Sequence, residues 1–292
     1  MYRKVYNWLP MKRYFKELNV LSGKIEARIA TKYPILATIF DSNYFDGIRE
    51  QIQEMSKNDL QGPIHSMFVA MTRDNEQKRG FLPLFEKHLS LIFNHPSIKP
   101  SLISYTKKEL ISERCINTMF EVSTIGNLIS KIGPDKTTLY AKTAGPKDVD
   151  IKIDLFDRPI YVEISVLGES RGDADLRDRM MRKKRGVYSG SRDMAHDTGR
   201  FKVKVEEKTK QFLPNKPNVL ILCTFDFFPV ELEIKQAMTN NYFVHVGILL
   251  RFYREKLKNT FTNLDKNCQL TGREMNWFRD FFESKEYKPL IY

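Results

Sequence analysis

Cysteine is scarce in this sequence, and long apolar runs are absent. The three cysteines, Cys115, Cys223 and Cys268, are isolated and odd in number. That spacing argues against a disulfide framework or a zinc site and favours a reducing compartment. The first residues lack the apolar core and small-residue cleavage site of a secretion signal, and no stretch has the length needed to span a bilayer. We therefore expect a soluble, intracellular, cytoplasmic protein without a membrane partner.

Internal repeats and low-complexity tracts are also missing, so the chain has the composition of a folded protein. Hydrophobic residues make up 41% of the 292 residues and aromatic residues 12%, which favours a packed core over disorder. The net charge is +12 and the pI is near 9.4. An excess of this size favours a polyanionic partner, nucleic acid more than an anionic membrane surface.

The chain divides by pattern into three parts. Residues 1–110 predict a mostly helical N-terminal region, with breaks at Pro34, at 61–63 and at 94–96, and nothing in them indicates catalysis. Residues 111–255 predict the α/β core. Residues 256–292 predict a C-terminal helical segment packing on that core, with the capping-box pattern Thr271 to Glu274 at the start of its helix.

Helices and strands alternate within the predicted core. A first helix is expected to stop at Gly133-Pro134, and a hairpin with its turn at 156–159 follows. This order indicates a mixed sheet flanked by helices, an α/β (α+β) fold. The predicted helices cover 112–131 and 201–213, and the predicted strands cover 149–155, 160–166, 219–225 and 244–250.

Acidic side chains collect on one face of the predicted hairpin. Strand side chains alternate between faces, so the first strand carries Asp148, Asp150, Lys152 and Asp154 on one side and aliphatic residues on the other. The second strand places Tyr161, Glu163 and Ser165 together in the same way. A turn centred between Asp157 and Arg158 would set Lys152 opposite Glu163 and Asp150 opposite Ser165, although the register could differ by a residue or two. The alternative reading is an ordinary solvated face of an antiparallel hairpin.

Each flanking helix carries a charged residue on or beside its apolar stripe. Glu121 shares the stripe of Ile125 and Leu128, where a carboxylate is costly to bury without a partner. Either that end of the stripe is exposed, or the carboxylate faces a site. Lys208 projects close to the apolar stripe of the second helix, with Lys204 and Gln211 beside it, and either extends to water or lines a polar pocket.

These residues resemble the PD-(D/E)xK nuclease superfamily over roughly 112–250, about half of the chain. The resemblance implies a restriction-endonuclease-like fold and a metal-dependent (endo)nuclease. It also implies Mg²⁺ or Mn²⁺ as cofactor, nucleic acid as partner with DNA favoured over RNA, and a possible homodimer. The matching elements are Phe120-Glu121-Val, Asp148-Val-Asp150-Ile, Tyr161-Val-Glu163-Ile-Ser165 and Lys204-x3-Lys208-x2-Gln211.

The resemblance also implies roles for the acidic residues. Glu121 matches the family's helix glutamate, Asp150 or Asp148 its metal-binding aspartate, and Glu163 its strand acid. Asp150 and Glu163 would bind the metal directly. Glu121 would bind it directly, hold a metal-bound water or serve a second metal. Carboxylate oxygens are the donors that hard divalent cations prefer.

One position departs from the family pattern, because Ser165 stands where the family has its lysine. In some members the lysine comes from another element of the fold. Lys208 is our preferred substitute, with Lys204 and Lys152 behind it. Such a lysine would orient or deprotonate the attacking water and stabilise the charge of the transition state.

A basic stretch follows the second predicted strand, over residues 167–199. A loop there could close on a nucleic-acid backbone, or it could be a surface insertion without a role. Its candidate nucleic-acid-binding residues are Arg179, Arg182, Lys183, Lys184 and Arg185. Two other functions stay open: a catalytically inactive protein of the same fold that binds nucleic acid or a protein partner, and an unrelated α/β interaction protein.

Overall fold

A computed structural model gives the fold of most of the chain. The described residues are 11–58, 64–77, 80–112, 114–141, 148–167, 203–208, 212, 216–224, 246–251, 260–262, 270–284, 286–287 and 290.

The N-terminal region is mostly helical, as predicted. Pro34 and Pro100 each lie in the first turn of a helix, where the missing N–H of proline costs no hydrogen bond. The predicted break at 94–96 lies between two helices, whereas 61–63 lies outside the described residues. The helices are α1 (Met11–Lys32), α2 (Pro34–Ala37), α3 (Ser42–Asn58), α4 (Ser66–Gln77), α5 (Phe81–Phe93) and α6 (Pro100–Leu110).

The helix α7 (Cys115–Ile132) lies at the centre of the molecule and is buried along most of its length. It packs against α5 so closely that a Cβ on Gly126 would lie 2.6 Å from the His88 side chain. The helix ends at Gly133, whose φ of 98° suits glycine, and Pro134 follows, as the predicted stop signal required. This central helix carries Glu121 towards the sheet.

The strands form one mixed sheet in sequential order from β1 to β6. The first three strands pair antiparallel, β3 to β5 pair parallel, and β6 pairs antiparallel with β5. Four strands were predicted, and β1 and β6 were missed. The strands are β1 (Thr137–Ala141), β2 (Val149–Leu155), β3 (Arg158–Leu167), β4 (Asn218–Thr224), β5 (Val246–Arg251) and β6 (Thr260–Thr262). Residues 203–208, within the predicted second helix, are helical and are called α8 here.

The hairpin register differs from the expected one by two residues. The turn is centred between Phe156 and Asp157, with φ values of 52° and 63°, and Leu155 pairs with Arg158. Lys152 therefore lies opposite Tyr161 rather than Glu163. Phe156 and Asp157 both have positive φ, which is the backbone conformation of a two-residue turn that matches the right-handed twist of the strands. The observed register brings Asp150 level with Glu163 instead of Ser165.

One continuous core joins the N-terminal helices, α7, the sheet and the last helix, α9 (Gly272–Glu283). The predicted capping box is present at its start, between Thr271 and Glu274. Glu274 also accepts two hydrogen bonds from Arg158, at 2.5 Å and 2.7 Å, so α9 is fastened to the start of β3.

No helix among the described residues has both the length and the apolar character to cross a membrane.

Candidate functional site

Glu121 lies on the side of α7 that faces the sheet, next to β1. Its Oε1 accepts a hydrogen bond of 2.9 Å from the Tyr140 hydroxyl. The residues that follow it on the predicted stripe, Ile125 and Leu128, are fully buried, whereas Glu121 is partly exposed. The helix thus places a carboxylate at the rim of the core, not at a solvated helix end.

Asp150 and Glu163 face each other where β2 and β3 separate. The last paired residues at this end of the hairpin are Ile151 and Val162. Beyond them, the Ile164 N–H donates to Asp150 Oδ2 at 2.7 Å, and the Asp150 N–H donates to Glu163 Oε2 at 3.3 Å. Each carboxylate therefore takes the place that a backbone carbonyl of the opposite strand would fill, and both acids are fixed between the strands.

Lys208 reaches this pair of acids from α8. Its Nζ forms an ion pair with Glu163 Oε1, and the two side chains are only 19% and 1% exposed. Ser165, two residues after Glu163 on β3, is buried, so a lysine at that position would compete for the same space. The amine that pairs with Glu163 therefore comes from a helix and not from β3.

The pKa values reflect the crowding of negative charge at this point. Burial and the nearby Asp150 carboxylate raise the pKa of Glu121 to about 8. The same two causes raise the pKa of Glu163 to about 8, against the opposing attraction of Lys208. Burial also raises the pKa of Asp150, although Lys208 and the Ile164 N–H partly offset it. Glu121 and Glu163 therefore each lie within electrostatic reach of Asp150 and of Lys208.

The neighbouring donors are held in their protonated forms. Burial alone would lower the pKa of Lys208, but the carboxylates of Glu163 and Asp150 outweigh it and raise that pKa. Burial and the acids Glu121 and Asp150 raise the pKa of the Tyr140 phenol well above its usual range. At neutral pH Lys208 is therefore a cation and Tyr140 a hydrogen-bond donor. In this state the lysine is suited to stabilising charge rather than to removing a proton.

The donor set suits a hard divalent cation by its chemistry. Within the part of the chain that the structure describes, no group of three or more Asp, Glu, His or Cys side chains is already arranged to hold a metal ion. The acids instead accept hydrogen bonds from backbone amides, from Tyr140 and from Lys208. Their oxygens are nevertheless the preferred donors for Mg²⁺ or Mn²⁺, and a divalent cation among Glu121, Asp150 and Glu163 would offset the charge that raises their pKa values.

The other predicted residues lie apart from this cluster or outside the described residues. Asp148 is exposed, just before β2. Lys152 pairs with Asp154 at 3.5 Å, and Lys204 pairs with Glu207 at 3.8 Å, one helical turn away from Lys208. The predictions that lie outside the described residues are Gln211 and the basic residues Arg179, Arg182, Lys183, Lys184 and Arg185.

Tyr140 is the residue of the cluster that the sequence did not indicate. It lies on β1, a strand that was not predicted, and it contacts Glu121 directly. The signal available was the alternation of Thr137, Leu139 and Ala141, which are buried in turn. Five residues directly after a helix stop gave too short a pattern to distinguish a strand from a loop.

The chain was compared with family models, curated proteins and solved structures. No family model matches the chain, and neither the curated proteins nor the solved structures contain a match.

Proposed function

We propose that this protein is a metal-dependent nuclease with a restriction-endonuclease-like core, hydrolysing phosphodiester bonds of DNA rather than RNA. One observation carries the proposal: Asp150 of β2 and Glu163 of β3 are held together beside Lys208, and Glu121 of α7 lies within electrostatic reach of Asp150 and Lys208. One buried acid and two half-buried acids beside one lysine have little value for stability, since removing like charges from water is costly. They have the composition expected of a site that handles a cation and a phosphate.

Each residue has a distinct task in this proposal. Asp150 and Glu163 would hold a Mg²⁺ or Mn²⁺ ion. Glu121 would bind the ion directly, hold a metal-bound water or serve a second metal. The ion, when bound, supplies Lewis-acid stabilisation of phosphate charge and lowers the pKa of a water. Lys208, protonated at its Nζ, would stabilise the negative charge that develops on the phosphate oxygens during attack. The net charge of +12 would favour binding of the polyanionic substrate.

The test is cleavage of supercoiled plasmid with Mn²⁺ or Mg²⁺ by two site variants, Asp150→Ala and Lys208→Met. Two controls remove the same residue types away from the site: Asp154→Ala on the same face of β2, whose acid pairs with Lys152, and Lys131→Met on α7, whose amine pairs with Glu286 at the surface. Loss of several kcal/mol of transition-state stabilisation predicts a fall in rate of about 10²–10³-fold for each site variant. Both controls are expected to cleave at nearly the wild-type rate.

A second candidate function has an observation in its favour. Glu163 Oε1 is already engaged by Lys208, and Ser165 occupies the position of the family's lysine, as in a site that has lost catalysis. Such a protein would bind nucleic acid without cutting it. Binding of DNA that weakens steeply with salt, without cleavage in either metal, would favour this function. Cleavage that persists unchanged in both site variants would reject the site itself.

A further inference from the structure

Tyr140 has an unusual backbone conformation for its position in the sheet. Its neighbours Leu139 and Ala141 pair with Ile151 and Val149, so Tyr140 lies level with Asp150 on the adjacent strand. Its φ is 48°, in the left-handed region that a bulky aromatic residue rarely adopts. Such a conformation costs on the order of 1–3 kcal/mol and persists only where the surroundings impose it.

The side chain shows what this conformation achieves. The Tyr140 hydroxyl donates to Glu121 Oε1 at 2.9 Å. The phenol thus links β1 to α7 at the carboxylate. A fixed hydrogen-bond donor restricts how the Glu121 carboxylate can turn.

The glutamate needs such a restraint to act on a cation. A glutamate side chain on a helix has three rotatable bonds, and Glu121 is only partly buried. Hydrogen bonds to metal-binding carboxylates fix their orientation, and removing such a partner typically weakens metal affinity about 10–100-fold. An ordinary buried tyrosine would serve stability alone and would need no strained backbone.

We propose that Tyr140 is a positioning residue, which holds the Glu121 carboxylate in the orientation that a divalent cation at Asp150 and Glu163 requires. This inference rests on the proposed metal-dependent function and adds a residue that the family motif does not contain.

The experiment measures Mn²⁺ affinity by isothermal titration calorimetry on the full chain, without any nucleic acid. Tyr140→Phe keeps the ring and removes only the hydroxyl, and we expect Mn²⁺ binding to weaken about 10-fold or more. Tyr161→Phe is the matched control, because Tyr161 lies on the same face of β3 as Glu163 but is level with Lys152. It should bind Mn²⁺ like the wild type. Thermal unfolding verifies that each variant is folded.

A double-mutant cycle separates positioning from general packing. If Tyr140 acts through Glu121, Tyr140→Phe should weaken Mn²⁺ binding no further in a Glu121→Gln background. An equal loss in both backgrounds, or wild-type affinity in Tyr140→Phe, would overturn the role of Tyr140 alone. Absence of Mn²⁺ binding by the wild-type chain would instead overturn the metal-dependent function and this role with it.

Discussion

The two ends of the β2–β3 hairpin bury charge in opposite ways. At the turn end, Glu274 is 1% exposed and accepts two hydrogen bonds from Arg158, while its Oε2 also accepts from the Thr271 N–H at 2.6 Å. At the other end, Asp150 and Glu163 lie together with Glu121, and the described cation among them is Lys208. At the turn end, one acid is matched by its hydrogen-bond donors. At the other end, three acids outnumber the one described lysine.

The contrast separates a structural ion pair from a candidate site. A buried acid that is fully hydrogen-bonded holds its elements together, because removing either partner would leave a polar group without a partner. Acids whose pKa is raised by burial and by neighbouring acids, as for Glu121 and Glu163, oppose folding when they are charged. Substitutions at the two ends of the hairpin should therefore change stability in opposite directions.

The largest effect should follow from Arg158→Met at the turn end. The substitution leaves the carboxylate of Glu274 buried without its guanidinium, and we expect the free energy of unfolding to fall by about 3–4 kcal/mol. Urea denaturation measures it. Because the turn end lies away from the acids, Mn²⁺ affinity below the unfolding transition should stay at the wild-type value.

A matched substitution on the same helix is Arg279→Met, since Arg279 pairs with Asp280 on the surface. An exposed pair of this kind contributes at most about 1 kcal/mol. If Arg158→Met proved as mild as Arg279→Met, the turn end would not be the structural anchor that we describe.

We expect the opposite effect on stability, a rise in the free energy of unfolding, for Glu121→Gln in the metal-free protein. Glutamine keeps an oxygen for the Tyr140 hydroxyl but removes one negative charge from the cluster. We expect the free energy of unfolding to rise by about 2 kcal/mol at pH 8, less than the full effect of the pKa shift because the crowding is shared with Glu163. Mn²⁺ affinity should fall in the same variant, which is the stability–function trade-off of a site.

The pH dependence gives the sign of this effect independently. The pKa of Glu121 rises from 4.5 to about 8 in the folded protein, so the folded state binds the proton more tightly than the unfolded state. Stability therefore falls as the pH rises from about 4.5 to about 8. The wild type and Glu121→Gln should be nearly equal near pH 4.5 and should diverge above it. A constant difference in the free energy of unfolding between the two proteins across this range would contradict the raised pKa of Glu121.

The sequence was sufficient for the elements with strong periodicity. The helix α7 and the strands β2 to β5 lie close to their predicted positions, because long apolar patterns and the stop at Gly133-Pro134 are local signals. The short strands β1 and β6 were missed, since three to five residues show no clear period and are held in place by pairing with neighbours. Pairing is a tertiary effect that local pattern does not contain.

The acids of the site were accessible to sequence reasoning, but their arrangement was not. Alternation placed Asp150 and Glu163 on their strands, whereas the register depended on the turn, where Phe156 and Asp157 adopt positive φ without glycine. Lys208 was preferred over Lys204 and Lys152 from its position on a helical wheel, and in the structure its Nζ forms an ion pair with Glu163. Which of these residues bind metal or substrate stays a prediction.

The smallest effect is expected at the turn itself, in Asp157→Gly. Asp157 has a φ of 63°, a conformation that glycine adopts without steric cost and aspartate at a modest one. The gain is partly offset by the greater freedom of glycine in the unfolded chain, so the free energy of unfolding should rise by about 0.5 kcal/mol. The midpoint of urea denaturation would show it.

Asp135→Gly is the control for this substitution, because Asp135 lies in a short 3-10 helix with negative φ. Glycine there only adds freedom to the unfolded chain, and stability should fall by about 0.5–1 kcal/mol. Opposite signs in the two variants would show that Asp157 stores backbone strain at the turn, and unchanged Mn²⁺ affinity in Asp157→Gly would show that this strain does not serve the site. The positive φ of Tyr140 is a different case from the positive φ of Asp157, because the Tyr140 side chain contacts Glu121. A loss of Mn²⁺ affinity in Asp157→Gly would instead mean that the turn and the site are coupled along the hairpin, and that its two ends are not independent.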